Sequence, residues 1–248
     1  TGRLVQAAAA YNIVPVTLEL GGKSPQLFFE DANLENALPF LVNAGIQNGG
    51  QTCSASSRIL VHRSRYDEVI ARMAKKYKEL IVRPAIDDGA LGPLISERQK
   101  TIVEGFISKG TNLNLVAQGE IDSKAPAKGH YVAPHLFSDV SDDHILAKDE
   151  IFGPVQVIMP FDTEEEAIQI ANGTDYGLVA SIWTNDGARQ MRLAKKLKSG
   201  QVFINNYGAG GGVELPFGGR GFSGHGREKG FEALFGFSTL KTVASYHQ

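Results

Sequence analysis

The only cysteine of the chain, Cys53, follows a pair of glycines in the stretch NGGQTCSASSR at residues 48–58. A cysteine thiolate is a nucleophile, and a turn or helix N-terminus at this point would offer N–H groups to the thiolate and to an oxyanion. The small neighbouring residues leave room for a substrate. Because a lone cysteine is more commonly a buried structural residue, the local sequence leaves both roles open.

Two carboxylates also lie beside glycines. Glu19 lies at the end of a short apolar stretch and precedes Gly21 and Gly22, where the backbone can approach a ligand closely. Glu150 precedes Phe152 and a Gly-Pro turn, a combination that suits sugar hydroxyls and a flat ring. A surface glutamate at a turn and a loop with a core phenylalanine are the structural alternatives.

Other catalytic and binding motifs find little support. The chain has six histidines, of which His130 and His135 are the closest pair, and none has a partner at a metal-binding spacing, so no metal site is predicted. Neither a serine-hydrolase elbow nor a phosphate-binding P-loop is present. A cysteine–histidine hydrolase stays open, because the sequence does not place a particular histidine beside Cys53.

The composition excludes several classes of protein. The chain has 248 residues, 27 acidic and 25 basic, and a net charge of −2, which argues against nucleic-acid binding and against a polybasic membrane anchor. No apolar run approaches the ~18 residues of a membrane span. With 42% hydrophobic residues the chain is expected to fold as one or two globular domains. A single cysteine forms no internal disulfide, which suits the cytoplasm.

Secondary-structure elements must position Cys53, Glu19 and Glu150. Helix and strand patterns alternate along the chain. Helical periodicity is found at residues 4–11, 34–47, 66–80, 96–108 and 187–197, and Thr163 with the acidic residues 164–166 predicts the start of a further helix. Strand patterns are found at residues 15–20, 26–29, 58–62, 155–159, 178–183 and 201–205. This alternation predicts an α/β fold with a layered, largely parallel sheet and flanking helices.

The C-terminal part has a different character. Residues 207–230 contain ten of the 28 glycines, too many for one helix or one strand. We expect an extended, ordered segment that crosses another surface. Residues 237–246 alternate sufficiently to predict a final strand.

Together these clusters resemble the aldehyde dehydrogenase superfamily. The resemblance rests on five motifs in family order, namely LELGGKSP (18–25), GQTCSASSR (50–58), EIFGPV (150–155), NGTDYGL (172–178) and PFGGRGFSGHGREKG (216–230). It implies a small-molecule aldehyde as substrate and NAD or NADP as cofactor. It also implies a homo-oligomer, a dimer or tetramer, without nucleic-acid or membrane partners.

The resemblance assigns chemistry to two residues. Cys53 would attack the aldehyde to give a hemithioacetal, and transfer of hydride to the nicotinamide would leave a thioester. Glu19 would activate the water that hydrolyses this thioester. The N–H group of Cys53 would form half of an oxyanion hole.

The resemblance also implies cofactor contacts. Glu150 would hold the nicotinamide ribose, with Phe152 packed near that end of the cofactor. The carbonyl of Leu20 would face the carboxamide, and Gly21 would lie beside it.

Complete members of the superfamily are about twice this length, so the resemblance divides the chain unevenly. It implies a remnant of the cofactor-binding domain (1–20), a catalytic domain (21–205), a glycine-rich segment that would pack on the cofactor domain (206–236) and an oligomerisation strand (237–248). We therefore expect a truncated chain, inactive or nearly so alone. The glycine-rich segment is expected to have lost its docking surface and to be mobile, displaced or swapped onto another chain.

Three other functions remain open. Cys53 and Glu19 could form a thiol esterase that needs no cofactor. An acylating dehydrogenase would pass the thioester to coenzyme A, but Glu19 argues against it, since such an enzyme needs no strong hydrolytic base. The chain could also be a non-catalytic oligomerisation module that adds its tail strand to a neighbouring sheet.

Overall fold

The structure, a computed structural model, describes residues 1–208 and 212–247. Its helices are α1 (Gly2–Tyr11), α2 (Leu34–Ile46), α3 (Tyr66–Lys78), α4 (Glu97–Lys109), α5 (Ile145–Lys148), α6 (Glu164–Ala171), α7 (Gly187–Lys196) and α8 (Glu232–Gly236). Its strands are β1 (Leu18–Glu19), β2 (Pro25–Phe28), β3 (Arg58–His62), β4 (Ile81–Val82), β5 (Asn114–Gln118), β6 (Glu120–Ile121), β7 (His135–Ser138), β8 (Val155–Phe161), β9 (Val179–Trp183), β10 (Gln201–Ile204) and β11 (Gly224–His225).

The described residues form a seven-stranded central sheet with the order β10-β9-β2-β3-β8-β7-β5. Every neighbouring pair is parallel except β5 with β7, which is antiparallel at one edge. The predicted α/β fold with a largely parallel sheet is confirmed. The sequence analysis did not find β5 and β7, which begin and end on polar residues.

Alternate side chains of the central strands supply two hydrophobic cores, because successive residues of a strand point to opposite faces. Leu27 and Leu60 pack with helices α4, α5, α6 and α7 on one face. Phe28 and Ile59 pack with α2 and α3 on the other face. The sheet is therefore covered on both faces, and the loops at its strand ends are held by a rigid layer.

The start of the chain pairs with its glycine-rich segment. The strand predicted at residues 15–20 is only the two-residue β1, which lies outside the central sheet and pairs antiparallel with β11. Arg3 of α1 lies over the ring of Phe222, 5.1 Å from its centre. The expectation that the glycine-rich segment has lost its docking surface is wrong for residues 222–225, because α1 and β1 of the same chain supply a surface for them. Residues 209–211 lie outside the described residues.

The tail differs from its prediction. Residues 238–247 are exposed and form no regular secondary structure, so the predicted final strand is absent. A strand requires a neighbour to pair with its N–H and C=O groups, and the single chain offers the tail none. The proposed division into four domains stays a prediction, although the central sheet lies within residues 25–204.

Candidate active site

The segments that carry Cys53, Glu19 and Glu150 meet at the amino ends of the central parallel strands. Cys53 precedes β3 by five residues, Glu150 precedes β8 by five, and Gly22 lies just before β2. Because β2, β3 and β8 are neighbouring parallel strands, their amino ends lie side by side. The sheet therefore gathers residues that are up to 131 positions apart in the sequence (Glu19 to Glu150).

The backbone of Gly22 is the point of contact between the clusters. Its N–H donates to Oε1 of Glu150 over 3.0 Å. A Cβ built on Gly22 would lie only 2.3 Å from the carbonyl oxygen of Cys53, so a side chain cannot be accommodated there. The pair of glycines noted in the sequence thus allows a close approach between two loops, as well as space near a ligand.

Cys53 lies in a tight turn and is half-buried. The N–H of Ala55 donates to the carbonyl of Thr52 over 2.9 Å and closes the turn. Burial raises the pKa of the Cys53 thiol, and the carboxylates of Glu19 and Glu150 raise it further. The backbone N–H groups of Ser54 and Cys53 act in the opposite direction, since they favour the thiolate.

Glu19 has the properties of a general base. Both of its carboxylate oxygens are shielded from solvent and have no hydrogen-bond partner among the described residues, although the side chain as a whole is only half-buried. Burial raises its pKa to about 7; the nearby Glu228 adds to this rise and Arg227 opposes it. A carboxyl group with a pKa near neutrality can both take up and release a proton under working conditions.

Glu228 and Arg227 are functional candidates that the sequence analysis missed. They belong to the motif at residues 216–230, but nothing in their spacing indicated that they face Glu19. The antiparallel pairing of β1 with β11 brings this segment onto Glu19. A tertiary contact therefore decides the electrostatics of the candidate base.

A cleft of about 980 Å³ lies beside this centre and is lined by three predicted cofactor contacts, Leu20, Gly21 and Glu150, together with residues of α1 and Phe222. The Glu150 carboxylate lies against bare backbone, since a Cβ on Gly21 would be 2.1 Å from its Oε2. A half-buried carboxylate at the wall of a cleft suits the hydroxyls of a nucleotide sugar. The residues present therefore fit the sugar of a nucleotide cofactor.

Phe152 does not line this cleft itself, but the crevice that it lines shares Glu150 with the cleft. Phe152 lines this small crevice on the side of the Cys53 turn, together with Thr52 and Ala55. Its backbone has a positive φ of 56°, which is uncommon for phenylalanine. Nε2 of Gln99 donates to its carbonyl over 2.9 Å and so helps to hold this conformation.

Behind Glu150 lie two buried cations. The guanidinium of Arg58 donates to the carbonyls of Lys23, Ile170 and Ala171 over 2.7–2.9 Å. Lys23 is only 1% exposed, and its Nζ has no hydrogen-bond partner among the described residues. Burial lowers the pKa of Lys23 to about 7, and the charge of Arg58 lowers it further, against the opposing effect of the acidic residues 149 and 150.

We expect Lys23→Met to stabilise the chain at pH 7 by roughly 1–3 kcal/mol. Between about pH 7 and 10.5 the folded chain binds fewer protons at Lys23 than the unfolded chain, so the free energy of unfolding of the wild type rises with pH. The variant should lack this contribution. Urea unfolding at pH 7 and 9.5 measures it, with the exposed Lys195→Met as control. An equal pH dependence in wild type and Lys23→Met would contradict the prediction.

Two kinds of feature are absent from residues 1–208 and 212–247. No cluster of three or more histidine, cysteine or acidic side chains has a geometry that could hold a metal ion. No helix in this part of the chain is long and apolar enough to cross a membrane.

The fold and the site together define an α/β protein with a cysteine, a buried carboxylate and a nucleotide-sized cleft at the amino ends of its parallel strands. The model of the aldehyde dehydrogenase family matches residues 1–243, and the chain belongs to this family. Betaine aldehyde dehydrogenase of Rhizobium johnstonii is 39% identical over 246 residues, which cover 98% of this chain and 50% of that protein. The chain spans about half the length of the curated relatives it matches.

Solved structures agree with this assignment. A Burkholderia cenocepacia protein assigned to the aldehyde dehydrogenases is 56% identical, with a TM-score of 0.95 over 98% of this chain and 51% of that one. The NAD+ complex of a Bacillus cereus aldehyde dehydrogenase is 40% identical, with a TM-score of 0.88 over 94% of this chain and 47% of that one.

Proposed function

We propose that this chain carries the catalytic centre for the NAD(P)+-dependent oxidation of an aldehyde to a carboxylic acid. The observation that carries the proposal is the convergence of Cys53, Glu19 and Glu150 around Gly22, beside a cleft of nucleotide size. Membership of the aldehyde dehydrogenase family supports it.

In this proposal Cys53 is the nucleophile. Its sulfur forms a bond to the aldehyde carbon, and the N–H group of Cys53 contributes half of the oxyanion hole for the negative charge on the oxygen. When bound, the nicotinamide supplies the two-electron acceptor that converts the hemithioacetal to a thioester. Glu19 then takes a proton from water, the resulting hydroxide attacks the thioester carbon, and the carboxylic acid leaves as the Cys53 thiol is restored.

The cofactor contacts follow from the cleft. Glu150, Leu20 and Gly21 line the same cleft. Glu150 would accept hydrogen bonds from the ribose hydroxyls, and the carbonyl of Leu20 would face the carboxamide. Phe152 would close the cofactor end from the side of the Cys53 turn. The Bacillus cereus relative was crystallised with NAD+, which supports NAD or NADP for this family member.

Several features of the whole protein extend the proposal. The exposed apolar tail, including Phe237 and Leu240, supports a homo-oligomer. A reactive free thiol is best preserved in a reducing compartment, so we propose the cytoplasm. We expect little or no dehydrogenase activity from this chain alone, because in its relatives the other half of the length is available to complete the cofactor site.

The test is aldehyde-dependent formation of NAD(P)H. It is measured with this chain, and with this chain joined to the N-terminal half of the Burkholderia cenocepacia relative. The aldehydes are short aliphatic, aromatic and semialdehyde substrates and betaine aldehyde, with Cys53→Ala as control. We expect activity only in the joined protein with Cys53 intact. Ester hydrolysis that ignores NAD(P)+, without oxidation of any aldehyde by the joined protein, would instead favour the thiol esterase.

A further inference from the structure

Tyr207, which lies just after the edge strand β10, is hydrogen-bonded to the Cys53 turn. It is buried, and its hydroxyl donates to the carbonyl of Ser54, the residue after Cys53. Its ring lies 6.0 Å from the ring of Phe203 and packs in a small cluster that also contacts Cys53. A tyrosine 154 positions from Cys53 in the sequence is thus hydrogen-bonded to the residue that follows the proposed nucleophile.

The carbonyl that Tyr207 holds belongs to the peptide that closes the turn. The N–H of this peptide, that of Ala55, donates to Thr52, and its C=O accepts from Tyr207. Both polar groups of the peptide are therefore fixed. The two residues inside the turn are Cys53 and Ser54, whose backbone N–H groups lower the pKa of the Cys53 thiol. Movement of the closing peptide would change their direction.

The phenol also lies near two loops. The hydroxyls of Ser24 and Ser56 act on the pKa of Tyr207, and both are buried without a hydrogen-bond partner among the described residues. Ser24 follows the glycine pair at the start of β2, and Ser56 follows the Cys53 turn. The hydroxyl of Tyr207 thus lies where the loop of Glu19 meets the loop of Cys53.

We propose that Tyr207 is a positioning residue that, by holding the Ser54 carbonyl, keeps the N–H groups of Cys53 and Ser54 directed at the nucleophilic sulfur. This inference rests on the proposed function, in which Cys53 is the nucleophile. It requires only a tyrosine hydroxyl and a turn, and so acts before any cofactor or aldehyde is bound.

Tyr66 provides a matched control that tests whether the Tyr207 hydroxyl has a purely structural role. The hydroxyl of Tyr66 donates to the carbonyl of Ile158 over 3.1 Å and is also buried, but it belongs to the core formed by α2 and α3. Tyr66→Phe and Tyr207→Phe each remove one buried hydroxyl and keep the ring. Only the second change reaches the Cys53 turn.

The experiment measures the rate of Cys53 alkylation by iodoacetamide from pH 6 to 10, followed by intact mass, in the wild type and both variants. Since Cys53 is the only cysteine, one mass increment reports one site. The other titratable groups that face it are Glu19, Glu150 and Tyr207. Burial raises the pKa of Tyr207 well above this range, so its own ionisation does not enter the profile.

We expect Tyr207→Phe to lower the alkylation rate near neutral pH about 5- to 10-fold and to move the profile to higher pH, as for the loss of one N–H···S hydrogen bond. Tyr66→Phe should follow the wild type. If the wild-type thiol reacts and the Tyr207→Phe profile superimposes on it, the positioning role of Tyr207 is overturned and the proposed nucleophile stands. The same conclusion follows if Tyr66→Phe changes the profile as much as Tyr207→Phe does. An unreactive wild-type thiol overturns both this role and the proposed nucleophile.

Discussion

Replacing Glu19 with glutamine is expected to slow hydrolysis of an acyl group on Cys53 by about 10²–10⁴-fold, the usual contribution of a general base. The amide keeps the size of the side chain but cannot accept a proton from water. Acylation by an activated ester should continue, because it requires the thiol and the turn but no proton transfer to Glu19. The acyl form should therefore accumulate on Cys53.

The pH dependence gives this prediction a second readout. Only the ionised form of Glu19 acts as a base, and its pKa is about 7. Hydrolysis in the wild type should therefore rise with pH up to about 7 and then level off, whereas Glu19→Gln should show no such rise.

The measurement acetylates the chain with p-nitrophenyl acetate, removes excess ester and follows loss of the acetyl group by intact mass. The control is Glu165→Gln, which changes an exposed glutamate on α6. If Glu19→Gln released the acetyl group as fast as the wild type, Glu19 would not be the base.

Replacing Gly50 with alanine is expected to destabilise the chain by more than about 3 kcal/mol. Gly50 has a φ of +73°, and a Cβ there would lie 2.1 Å from the carbonyl oxygen of Gly153. Both atoms that collide are bound to backbone, so no side-chain rotation relieves the contact. The loop of Cys53 and the loop of Glu150 would have to separate.

Gly105→Ala is the matched control for this change. Gly105 lies in α4, and a Cβ there meets nothing within 4 Å, so alanine should stabilise the helix by about 0.5–1 kcal/mol. Thermal and urea unfolding compare the two variants. A Gly50→Ala chain as stable as the wild type would show that the two loops are not in contact.

Local sequence was sufficient for most elements of this protein. The strand predicted at residues 58–62 is β3, and the helix predicted at residues 34–47 is α2 to within one residue. The helices predicted to start at Ser96 and Thr163 do start there, because these side chains accept from the N–H groups of Gln99 and Glu166 and cap α4 and α6. Such features depend on side chains within one turn of each other, and a linear pattern records them.

The predictions that did not hold depended on partners elsewhere in the chain. The run at residues 15–20 has strand character, but only two of its residues find a partner, β11. The tail at residues 237–246 also has strand character, and the single chain gives it no partner at all. A strand is completed by its neighbour, so its pattern alone does not decide whether it forms.

The sequence by itself determined the family, the nucleophile candidate and the carboxylates, because these are carried by residue types in ordered motifs. Only the tertiary structure decided the burial, the neighbouring charges and the hydrogen bonds of those residues. The parallel order of β2, β3 and β8 brings three loops together, and the return of the glycine-rich segment places Glu228 near Glu19. A pKa and a hydrogen bond depend on distance and burial, which separation along the chain does not express.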